Sequence, residues 1–131
     1  MEILSVVIAA VATFAFGAVW YMSLAKQWLA AAEIKLGPDG RPARAADRTP
    51  FVIGFLCMIL AAGMMRHVFG MAAIDNLGKG LVAGLGIGAF TIMPWLAMNY
   101  AFGQRKLKLA VIDGGNVVIG SAIMGAVLGA I

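Results

Sequence analysis

The sequence predicts an all-α membrane protein, with four transmembrane helices in an up-down bundle and the N-terminus and C-terminus both outside. Three observations carry this. Of the 131 residues, 63% are hydrophobic and 12% charged, against roughly 45–50% and about 25% in soluble domains. The apolar residues gather in four runs, each near the ~20 residues a helix needs to cross a ~30 Å hydrocarbon core. The cations stand in the gaps between runs, mostly on one side. A transmembrane barrel would instead show short strands of alternating polarity, and the chain has none.

The first span covers about residues 3–22. Glu2 stands where a secretory leader carries a cation, and the run exceeds the ~7–15 apolar residues of a leader core, so a retained span is expected. A polar loop, about residues 26–50, follows. Gly37-Pro38-Asp39-Gly40 and Arg41-Pro42 mark turns there, and an interfacial helix over Gln27–Leu36 would hold Trp28 at headgroup level. The second span, about 51–73, contains Cys57, which has no second cysteine to pair with. Arg66 and His67 fall in its outer part, where Arg66 would snorkel outward or pair with Asp75. The third span, about 77–102, contains Pro94, which removes a helix hydrogen bond and predicts a kink or break. The fourth, about 109–131, carries the last charge of the chain at Asp113. Short links at Asp75-Asn76 and at 103–106 make sequential helices antiparallel neighbours in one integral membrane domain.

Lys26, Lys35, Arg41, Arg44 and Arg48 lie between the first two spans, and Arg105, Lys106 and Lys108 between the last two. Only Arg66 and Lys79 belong to the other side. The positive-inside rule places the richer side in the cytoplasm of a multi-pass cell-membrane protein, in the inner membrane if the source is bacterial. Cations confined to such gaps, without interleaved aromatics, argue against a nucleic-acid partner and leave the lipid bilayer as the expected one.

Gly80, Gly84 and Gly88 recur every four residues along the third span, and Ser121, Gly125 and Gly129 do so along the fourth. Such faces let helices approach closely. They serve either packing within the bundle or an interface between copies in a homo-oligomer. The run from Gly84 to Gly88 has no preceding strand, so a dinucleotide loop is excluded.

The candidate site collects around Asp113. Asn116 lies one turn further on the same helical face, and antiparallel geometry brings Trp20, Tyr21, Asn99 and Tyr100 to the same level. A carboxylate within a membrane helix is costly and marks a functional hypothesis. Asp113 would relay a proton or cation while Asn99 and Asn116 hold a polar ligand. In the structural alternative, Asp113 pairs with Arg105, Lys106 or Lys108, and the aromatics form an interfacial belt. A single histidine, no acidic or cysteine ligand at metal spacing and no nucleophile elbow argue against a metal, a cofactor and hydrolase chemistry.

The stretch Gly17 to Tyr21 (GAVWY), the following Trp28, the basic join from Phe102 to Leu107, and Val111-Ile112-Asp113-Gly114-Gly115-Asn116 with its small-residue tail resemble the family catalogued as domain of unknown function 1761. The resemblance covers all four spans and implies a small four-helix membrane protein of bacteria and fungi with no assigned activity. Asn116 stands where that family places an aromatic, so a role tied to the aromatic does not carry over. The expected function is a small-solute or ion transporter or channel acting as a homo-oligomer on a small molecule not identified by the sequence. The alternative is a non-catalytic membrane scaffold or accessory subunit.

Overall fold

The computed structural model describes residues 2–131, and these are helical almost throughout. Helix α1 spans Glu2–Ser23, α2 Ala25–Ala31, α3 Thr49–Met71, α4 Leu77–Ile87, α5 Met93–Phe102 and α6 Leu107–Ala130, with a π-helical turn, Gly88–Ile92, between α4 and α5. Four helical stretches are long and apolar enough to cross a bilayer: α1, α3, α6 and the continuous run Leu77–Phe102. Outward side chains such as Ile3, Leu60, Phe90 and Phe102 are more than 70% exposed. Apolar surface on that scale calls for hydrocarbon around it.

The helix starting at Ala25 is shorter than the expected Gln27–Leu36. Its backbone turns at Glu33, which takes a left-handed φ of 56°, and a residue in that conformation ends a helix. The chain then doubles back through a bridge between Leu36 and Pro42, with Gly40 at φ 77°. At the entry to α3 the Thr49 N–H donates to Asp47 Oδ1 at 3.0 Å, which holds the Asp47 carboxyl below its usual range. The α4 entry is capped by Asn76, whose Oδ1 accepts from the Lys79 N–H at 2.9 Å.

Pro94 does not break the span: it follows a π turn in a helical run that continues from Leu77 to Phe102. In the turn preceding it, the Met93 N–H bonds to the Gly88 carbonyl five residues back. The proline, in the first turn of α5, lacks an N–H and would crowd the carbonyl four residues before it. A wider turn carrying an extra residue accommodates both effects.

Helix α6 is the axis of the fold. It is buried at Leu109, Ala110, Ile112, Gly114, Gly120, Ser121, Met124, Gly125, Leu128 and Gly129, because α1 packs along one side of it and α4, the π turn and α5 along the other. Helix α3 leans mainly on α1 and touches α6 only lightly. The α3 and α4 helices, neighbours in sequence, are thus parted. One core gathers Ala9, Ala10, Ala62, Met65, Phe69, Met124 and Leu128 toward the end that carries the termini. A second, at the basic end, gathers Ala31, Leu109 and Ile112 beneath α2.

The small-residue faces meet each other within the chain. A Cβ placed on Gly84 would overlap the Ser121 carbonyl oxygen and stand 3.0 Å from Gly125 Cα; one on Gly125 would stand 2.9 Å from Gly84 Cα. Gly80 faces Gly125 and Gly129, and Gly88 faces Val117, Val118 and Ser121. Within the chain these residues pack helix against helix inside the bundle.

Arg66 does not pair with Asp75; it reaches toward the end of the bundle that carries the termini. Its Nη1 donates to the Leu128 carbonyl at 2.5 Å and its Nη2 to the Ile131 carbonyl at 3.4 Å, while Nε lies 3.8 Å from Glu2 Oε1. A guanidinium thus satisfies carbonyls that the end of α6 leaves without helical partners, where the helix dipole also favours a cation. Asp75 pairs with Lys79 instead, at 3.2 Å.

Candidate functional site

Asp113 is held by two phenols. The Tyr21 hydroxyl, from α1, donates to Oδ1 at 2.5 Å, and the Tyr100 hydroxyl, from α5, donates to Oδ2 at 2.5 Å. Three helices are therefore tied at one carboxylate, and each oxygen has its own donor. The cations that could have paired with Asp113 lie elsewhere. Arg105 donates to the Ala32 carbonyl at 2.9 Å and stands over the Tyr100 ring. Among the described residues the ion pairs are those of Arg66 and Lys79, so the phenols take the place of the interfacial ion pair.

The residues flanking Asp113 make the approach possible. Trp20 Nε1 donates to the Ile112 carbonyl at 2.9 Å, and a Cβ on Gly115 would stand 2.6 Å from Trp20 Cζ2. Gly114 faces the Met93 thioether at the junction of the π turn and α5. Gly17 faces Asn116, with 3.4 Å from its would-be Cβ to Oδ1. The stretches Gly17 to Tyr21 and Ile112 to Asn116 thus interlock residue by residue: a glycine against an amide, an indole against a glycine and a phenol against a carboxylate. Of the six candidate residues, Trp20, Tyr21, Tyr100, Asp113 and Asn116 come together. Asn99 does not; it is exposed, and its backbone carbonyl accepts from the Gly103 N–H.

Two clefts adjoin this lock. One, of about 490 Å³, lies between α1 and α3 and reaches from Thr13 and Met58 to Tyr21, Trp28 and Pro50. The other, of about 460 Å³, fills the gap between α3 and the π turn, with Met65, Thr91, Ser121 and Met124 in its wall. Thr13, Met58 and Asn116 belong to both. The Thr13 hydroxyl donates to the Ala9 carbonyl at 2.8 Å, which leaves the Asn116 amide as the polar group at the junction. No charged side chain lines either cleft. The role of α3 in the clefts has no motif to announce it; its signal in the sequence is a run of flexible methionines, Met58, Met64 and Met65.

The family model described as protein of unknown function (DUF1761) matches residues 4–129. The chain is a DUF1761 protein. The matched range takes in both interlocking stretches and all but the outermost residues of the four spans. Neither a curated protein nor a solved structure matches the chain. Among the described residues no group of histidine, cysteine and carboxylates stands close enough to hold a metal. The arrangement offers one amide, in otherwise apolar clefts, beside the tyrosine–aspartate lock.

Proposed function

We propose that this DUF1761 protein is a small-solute carrier of the cell membrane, taking an uncharged amphipathic molecule from the bilayer into the joined clefts and holding its polar group at Asn116. The supporting observation is that two apolar clefts meet at a single amide with no charge in their walls. A hydrocarbon chain fits such walls, and methionine-rich lining adapts to varied shapes. A charged solute would lose its hydration there without a counter-charge. In this reading Asp113 fixes α1, α5 and α6 around the cleft instead of carrying an ion, since both its oxygens already accept phenol hydrogens. The basic end faces the cytoplasm, and the termini lie outside. One chain supplies the whole site; a homo-oligomer would assemble through the outward faces of α3 and α4.

The test is native mass spectrometry of detergent-extracted wild type and Asn116→Leu. A neutral molecule retained by the wild type and lost in the variant, at unchanged thermal stability, supports the carrier. Loss of nothing but phospholipid common to both would sink it and favour the scaffold or accessory subunit, for which α3 offers its open face.

A further inference from the structure

The third span is built from two unequal halves. Helix α4 is locked to α6 by backbone-to-backbone contact at Gly80 and Gly84. Helix α5, beyond the π turn, has no buried residue of its own. Its contacts with α6 are fewer than those of α4 and include the Met93 thioether against Gly114, beside the turn, and the Tyr100 hydroxyl on Asp113, near the end that residues 103–106 join to α6. Between the halves, the hydrogen-bond ladder is already rearranged at Gly88–Ile92, and Pro94 removes a further donor. Thr91 and Ile92, in this turn, form part of the wall of the second cleft. A stiff half, a weakened joint and a loosely held half fastened at its tip are the parts of a latched gate.

We infer that α5 pivots at the π turn as a gate, and that the Tyr100–Asp113 hydrogen bond is its latch. When the latch opens, α5 swings away from α6 while α4 stays, and Tyr21 keeps its hold on Asp113. The swing reaches the second cleft through Thr91 and Ile92, the cleft-lining residues at the joint itself. The motion follows from the helices alone; its use as an entrance rests on the carrier reading above. A kink change of about 20°, the scale found at such joints, moves the tip of a ten-residue, ~15 Å helix by about 5 Å.

The test is pulsed electron spin resonance in nanodiscs, on the full chain with Cys57→Ser and pairs of spin labels at exposed positions. One pair, Val19 and Phe102, spans α1 and the α5 tip; the other, Val19 and Val82, spans α1 and α4. In Tyr100→Phe, the first pair is expected to gain a population about 5 Å longer while the second stays unchanged. Adding Pro94→Ala, which restores a donor at the joint, should shrink that population. An unaltered Val19–Phe102 distance in Tyr100→Phe overturns the gate. So does equal broadening of both pairs, which would mean that the whole bundle loosens. Neither distance depends on a ligand, so a failed carrier assay leaves this result standing, and the reverse holds too.

Discussion

Asp113 draws its donors from two other helices, which makes it the residue where the fold is most exposed to a single substitution. Hydrogen bonds between membrane helices average about 0.6 kcal/mol and reach ~1.7, but a buried polar group left without a partner costs about 1–3 kcal/mol. Tyr21→Phe and Tyr100→Phe should therefore each cost about 1 kcal/mol. Asp113→Ala strands both hydroxyls and should cost on the order of 2–4 kcal/mol, read by unfolding in mixed micelles. If the two phenols share one anchor, a double-mutant cycle between them will show coupling; strict additivity would mean they act separately. Gly115 is constrained in a different way. Its missing Cβ is the space occupied by the Trp20 ring, and Gly115→Ala should destabilise by about 1–3 kcal/mol through overpacking.

At the scale of helices, the α4–α6 contact is one in which backbones touch. Gly84→Ala drives a methyl into the Ser121 carbonyl, whereas Gly86, two residues on, faces open space. Thermal melts in detergent should show a loss of several degrees for Gly84→Ala and none for Gly86→Ala; equal effects would refute the packing. Much of this was legible in the letters. The spans follow from run length, the glycine faces from their four-residue spacing, and the level shared by Trp20, Tyr21, Tyr100 and Asp113 from antiparallel connection. What the letters leave open is rotational phase. Asn99 and Tyr100 are neighbours some 100° apart on a helix, so only one can face Asp113, and the extra residue in the π turn decides which. Two of the Arg66 partners were illegible for another reason: they are carbonyls, which every residue carries. The parting of α3 from α4 depends on how closely α1 and α4 can both approach α6, a property of the assembled bundle.

Across the whole molecule, Arg66 joins three chain segments at the end opposite the basic loops: α3, the start of α1 and the end of α6. Hydrogen bonds from a charged donor contribute about 1.5–3 kcal/mol, so Arg66→Gln should cost about 2 kcal/mol. Lys79→Gln, which removes an exposed pair, should cost under about 1 kcal/mol. Comparable losses from both, in the same unfolding assay, would show that the guanidinium is no clamp. The central position of α6 also bears on biogenesis. Ribosomes make α6 after every helix that docks on it, so the third span enters the bilayer without its chief partner, while α1 and α3 already have each other. Tyr21, Tyr100 and Arg66 must then wait beside lipid, water or the insertion machinery until α6 arrives. Pausing synthesis before residue 107 should leave α1 packed on α3 but the third span undocked, exposed to membrane quality-control proteases, and release of the pause should let the bundle close in a single late step.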